Sequence, residues 1–230
     1  MKNRANAPVF QGIRSLSLIP LALLMLSVSF SNCKSYKARR NQASSQIELL
    51  KDHALLVRLN TKQRTIDALK KANMAEEANY VEARSTEFNR KLVDAFRQYY
   101  TFSNVYFFYS GESTKLKNGE FDQVQVFDTW NHTVSNPAFL NAGYLVAGIG
   151  KIYQDIALAE DSTSRYLQVG MSGLPALVFM DKDYVQLAKP FPHAFDFGSE
   201  KKFKPRSIFA MNKRLTKYYS RAVRRKHRSK

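Results

Sequence analysis

From Ser15 to Asn32 the chain carries no charge, and that run stops at the only cysteine, Cys33. The apolar heart of the run, Leu16 to Phe30, would span about 22 Å as a helix, short of the ~30 Å hydrocarbon core of a bilayer. Pro20 interrupts a stable spanning helix. Lys2, Arg4 and Arg14 supply a positive segment ahead of it. A cationic start, a short apolar stretch and small residues at Ser29 and Ser31 are the parts of a secretory signal, so residues 1–33 are predicted to direct export.

Phe30-Ser31-Asn32-Cys33 resembles a bacterial lipobox, with Phe30 where leucine is usual and Asn32 where a small residue is usual. The resemblance implies that Cys33 carries an acyl chain of the palmitate kind and that the mature lipoprotein begins there. Plain secretion and an uncleaved N-terminal anchor are the alternatives. Residues 34–46 read as a basic tether, with Lys34, Lys37, Arg39 and Arg40 beside the membrane. One acyl chain holds a protein weakly, whereas a chain plus a basic patch holds it stably. A single cysteine also excludes an internal disulfide, a CxxC redox pair and every multi-cysteine zinc site.

The formal charge of +17 is concentrated at the ends. Residues 1–40 hold seven Lys/Arg and 201–230 hold thirteen, both without an acid; residues 41–200 hold 16 basic and 19 acidic residues, a net of −3. A nearly neutral body is not that of a basic globule that coats nucleic acid, and no nucleic-acid partner is expected.

Residues 47–225 are predicted to form one α+β domain, ahead of a basic tail at 226–230. Leu55–Leu59 reads as a strand, and Asn60 with Gln63 resembles a capping box opening a helix to about Asn73. Ala78, Val81, Ser85, Phe88, Leu92, Ala95 and Tyr99 recur at helical spacing, giving a second helix and a helical hairpin. Val105–Tyr109 is apolar on both faces, as a central strand is. Gln123–Asp128 alternates, Tyr144–Ile149 is a further apolar run, and Ala176–Met180 with Tyr184–Leu187 reads as a β-hairpin ended by Pro190 and Pro192. A basic helix over about 206–225 closes the domain. The expected architecture is a mainly antiparallel sheet packed against the helical hairpin.

Leu55–Leu59, Val105–Ser110, Leu177–Asp181 with Gln186-Leu187, and Pro190-Phe191-Pro192 together resemble a family of uncharacterised exported, lipoprotein-like proteins of Bacteroidota. The resemblance implies location and fold, and no chemistry. Gly173–Val178 also resembles the proline-led strand of thioredoxin-like folds, whose proline is cis. The redox pair of that family would follow Val105–Tyr109, where Ser110-Gly111-Glu112-Ser113 stands without a cysteine. No cofactor is implied. Gly143 and Gly148 have P-loop spacing, but Ile149 replaces the lysine, so the glycines are expected to serve packing.

Two functional readings compete. One is a non-catalytic envelope module, in the periplasm or at the cell surface, membrane-bound through Cys33. Arg214, Lys217, Arg221, Arg224 and Arg225 would then contact anionic lipid or an acidic envelope polymer. The other is an envelope hydrolase using Asp181, Asp183 and His193, which would have to converge in one cleft. Asp181 and Asp183 suit a turn as readily, because Asp carboxylates bond nearby backbone amides. No histidine pair has the spacing of a helical zinc site, and no metal is expected.

Overall fold

The computed structural model describes residues 19–134, 139–152 and 174–228, and side chains from Tyr36 onward. The chain divides into two units, residues 1–38 and residues 39–230. In the first, the described residues are helical. The second contains the sheet.

Six strands form one mixed sheet in the order β3-β2-β1-β4-β5-β6. They are β1 Ala54–Leu59, β2 Asn104–Tyr109, β3 Val126–Phe127, β4 Tyr144–Ile152, β5 Leu174–Met180 and β6 Ala194–Asp196. The fold is α+β, as the sequence predicts. Antiparallel ladders join β2 to β3, β4 to β5 and β5 to β6, whereas β1 lies parallel to both β2 and β4 at the centre. The helices are α1 Ile19–Asp52, α2 Gln63–Lys71, α3 Ala75–Tyr99, α4 Ser113–Asn118, α5 Phe139–Ala142 and α6 Arg206–Arg228.

Strand side chains alternate between faces, and both faces of the central strands are apolar. Leu55, Val57 and Leu59 of β1, with Phe107 and Phe179, meet Phe88, Leu92 and Phe96 of α3 and Ile208, Met211 and Leu215 of α6. Leu56 and Phe108 face the other way, onto a smaller core with Leu116, Leu140 and Tyr144. The α2–α3 hairpin forms as predicted, and its longer helix α3 covers the larger core with α6.

Four local expectations change. The tether is helical over its whole length, and its second half belongs to the body: Ala43 is 2 % exposed in the larger core, in line with Ile47 just beyond the tether. Ala43, Ile47 and Leu50 recur at helical spacing, and their burial outweighs the polar residues between them. Asn60 does not cap α2. Its Oδ1 accepts from the Lys62 amide at 2.9 Å, because Lys62 turns through a left-handed φ of 54°. Gln123–Asp128 yields only the two-residue β3, preceded by a single 3-10 turn at Phe121–Gln123. The 176–187 hairpin reduces to a bridge between Met180 and Gln186, and β6 takes the ladder position beside β5.

The peptide before Pro175 is trans; among the described residues the cis bond lies at Lys189–Pro190. β5 is also separated from β2 by β1 and β4. The proline-led thioredoxin-like arrangement is therefore not reproduced here, and Gly173 lies outside the described residues. Gly148 serves packing: a Cβ there would sit 3.2 Å from Met180 Cε and 3.6 Å from Arg58 Cβ. Gly143 enters β4 at a φ of 120°, a conformation that side chains rarely adopt.

Candidate functional site: a cationic cleft on the last helix

Ends of parallel strands are the usual place for a ligand in sheets of this kind, so the ends of β1 and β2 come first. Their polar groups are bonded to one another. Ser85 Oγ donates to the Asn60 carbonyl at 2.6 Å and Asn89 Nδ2 donates to the same oxygen at 3.1 Å. The Thr61 amide donates to Ser110 Oγ at 3.2 Å, and Lys62 pairs with Glu200. A cavity of about 350 Å³ nearby has mainly apolar walls, among them Ile149, Pro175 and Phe197. Asn89 Oδ1 is buried without a partner among the described residues. The strand ends thus hold structure together and gather no reactive set.

The cationic residues behave differently. On α6, Arg214, Lys217, Arg221, Arg224 and Arg228 recur at spacings of three and four, which places them in one stripe about 21 Å long. All five are exposed. The opposite face supplies Ile208, Met211, Leu215 and Ala222 to the core. No acid lies in 201–230 to neutralise the stripe. The described carboxylate that reaches α6 is Glu48 of α1, paired with Lys226 at 2.9 Å. Arg225, expected on the binding surface, is only half-exposed and lies 5.9 Å from the Tyr218 ring centre. Its Nη2 is buried without a hydrogen bond among the described residues. Spacing accounts for this, because Arg225 falls on the flank of the helix between stripe and core.

Alongside the stripe, the segment Lys189–Ala194 and α6 together line an open cleft of about 390 Å³. Phe191 is 1 % exposed and anchors that segment between Phe179 and Tyr218. The cleft is lined by Lys189, His193, Arg214, Lys217 and Arg221 and by an apolar floor of Pro190, Pro192 and Tyr218, with buried Phe191 behind it. No carboxylate lines the cleft, and none of its four Lys/Arg residues forms an ion pair among the described residues. Arg214 lies 4.9 Å from the Phe195 ring centre, within cation–π range. His193 Nδ1 lies 3.1 Å from the Phe191 carbonyl. A carbonyl can only accept, so Nδ1 carries the hydrogen and Nε2 is the nitrogen left for another partner.

The structure brings together Arg214, Lys217, Arg221 and His193, and adds Lys189, which sequence reading overlooked. Its signal was its place directly before Pro190-Phe191-Pro192. Asp181 and Asp183 do not line this cleft. Asp181 Oδ1 accepts the Asp183 amide at 3.0 Å and the Val185 amide at 2.9 Å, so its carboxylate holds a turn. Asp183 is exposed. Among the described residues no three His, Cys, Asp or Glu side chains are grouped to hold a metal. Cys33 lies in α1, within the first unit.

The Trp130 turn carries another exposed aromatic. Asp128 Oδ1 accepts the Trp130 amide at 2.8 Å and the His132 amide at 2.9 Å. Burial pulls the Asp128 carboxyl upward, but the two amides and the nearby His132 ring outweigh it and hold it below its ordinary value. Trp130 is 65 % exposed, with Arg97 4.9 Å from its ring centre. On the smaller core, burial pushes the Tyr144 hydroxyl up to about 12. Tyr184 is raised for the same reason, burial.

No family model matches the chain, and neither a curated protein nor a solved structure matches it. Among the described residues no helix is long and apolar enough to cross a membrane.

Proposed function

We propose that the chain is an exported lipoprotein of the bacterial envelope, of the kind its resemblance to a Bacteroidota family implies. It is anchored through an acyl chain on Cys33, and it acts as a binding module whose α6 surface contacts anionic lipid headgroups. The observation that carries this reading is the exposed stripe Arg214, Lys217, Arg221, Arg224 and Arg228, free of acids along its length. Each basic residue held near an anionic leaflet contributes about 1 kcal/mol, and a charged patch beside one lipid chain converts weak attachment into stable attachment. The near-neutral charge of residues 41–200 leaves the attraction to the ends of the chain.

A hydrolase built on Asp181, Asp183 and His193 would need the three side chains in one cleft, and only His193 lines the one described above. The test is fractionation of cells expressing the wild-type chain and Cys33→Ser. The wild type should stay with membranes in 1 M salt, because an acyl chain is insensitive to screening. Cys33→Ser should be released by that wash. Release of both, or retention of both, would refute the anchor on Cys33.

A further inference from the structure

The cleft beside the stripe has a chemistry of its own, and the geometry points to a phosphomonoester carried on a sugar or glycerol body as its ligand. This rests on the reading of α6 as an anion-contacting surface, and it names what the cleft in that surface selects.

The argument starts from charge. Lys189, Arg214, Lys217 and Arg221 surround one cleft with no carboxylate in its lining. Four like charges brought together by folding repel one another, and a ligand of matching charge relieves that repulsion. A phosphomonoester carries about −1.5 to −2 near neutral pH and offers three acceptor oxygens, whereas a phosphodiester carries one charge. Arg214 and Arg221 supply planar forks suited to two oxygens of one phosphate; the lysines supply point charges. The Arg214 guanidinium lies 4.9 Å from the Phe195 ring centre. His193 adds Nε2, a nitrogen that can accept from a ligand hydroxyl or, when protonated, donate to the phosphate.

The floor then selects what the phosphate is attached to. Pro190, Pro192 and Tyr218, each partly exposed, give the cleft apolar surface beside its cations. A bare anion would leave that floor unused, while the carbon face of a sugar or glycerol group would cover it. The cleft, at about 390 Å³, lies in the size range of small-molecule sites.

Such a group could reach the protein on a lipid headgroup or as a free sugar phosphate, and one titration series separates these sources. The full chain carrying Cys33→Ser is titrated with glucose 1-phosphate, dimethyl phosphate and glucose, and with vesicles containing phosphatidate or phosphatidylglycerol. Glucose 1-phosphate should bind saturably, at least about tenfold more tightly than dimethyl phosphate or glucose, as a second charge in a cationic site requires. A matching preference for phosphatidate vesicles assigns the group to a lipid. The sugar phosphate preference without the vesicle preference assigns it to a soluble ligand. Ala194→Leu narrows the cleft and leaves every charge in place; it should remove the monoester preference and keep salt-sensitive binding to phosphatidylglycerol vesicles. Lys189→Gln, on an exposed residue, should lower the preference severalfold and guards against misfolding of the first variant. Arg224→Ser with Arg228→Ser, outside the cleft, should weaken vesicle binding and leave glucose 1-phosphate binding unchanged. Equal binding of monoester and diester, or a preference that survives both Ala194→Leu and Lys189→Gln, would overturn the assignment. Loss of vesicle binding by the parent chain, with sugar phosphate binding intact, would instead overturn the surface-contact reading alone.

Discussion

Removing Arg224 and Arg228 together should weaken binding to anionic vesicles by about thirtyfold. Both side chains are exposed, one turn apart on the same stripe, and neither lines the cleft or forms an ion pair among the described residues. Each contributes about 1 kcal/mol near an anionic surface, so the pair contributes about 2 kcal/mol, and every 1.4 kcal/mol is a factor of ten in partitioning. The assay is co-sedimentation of the full chain carrying Cys33→Ser, with and without Arg224→Ser and Arg228→Ser, so that the N-terminal segment is common to both proteins. At 0.1 M salt the screening length is about 10 Å and the difference should be complete; at 1 M it falls to about 3 Å and the two proteins should bind alike. Arg224→Lys with Arg228→Lys should retain most of the binding, since a diffuse surface reads charge more than fork geometry. A difference below about threefold at low salt would refute the reasoning, as would one that persists at 1 M.

Three further expectations concern the body. Ile47→Ala should destabilise the fold by about 2–5 kcal/mol in urea denaturation, because Ile47 is 0 % exposed in the main core; a position outside the core would tolerate the change without loss. Ser85→Ala should lose about 0.5–1.5 kcal/mol, and the double change with Asn89→Ala should lose more than the two single changes summed, because the Asn60 carbonyl is then left without either donor. Trp130 is the only tryptophan, so its fluorescence reports on the Asp128 turn. Asp128 has a depressed value in the folded chain, so its stabilisation is complete above the ordinary carboxylate range and is lost as pH falls through the folded value. The emission should change as pH falls through that lowered value, and Asp128→Asn should show an altered spectrum already at neutral pH.

Much of the fold is legible in local patterns. The apolar runs at 55–59, 105–109 and 144–149 became three neighbouring strands, spacings of three and four marked α3, and the run of cations near the end marked α6. Pairing was less legible. That β1 lies parallel to β4, some 85 residues onward, depends on packing between distant segments, which no local period encodes. The start of the body was obscured for another reason. Ala43, Ile47 and Leu50 do recur as a helix face requires, but they sit among serines, glutamines and basic residues that make 34–46 resemble a tether. Half of the cleft was visible as a run of cations on α6. The other half was not, because Lys189 and His193 reach α6 only after buried Phe191 has packed against Phe179 and Tyr218. Arg225 shows the converse: composition assigns it to the cationic surface, and its position on the helix turns it over Tyr218.

The central claim is a body held at a membrane by its N-terminus and seated there by α6. Its most direct test is the intact mass of the wild-type protein purified from bacterial membranes, measured beside Cys33→Ser. The account predicts a wild-type chain that begins at Cys33 with added acyl mass, and a Cys33→Ser chain that carries none. A wild-type chain without acyl mass, found in the soluble fraction, would contradict it.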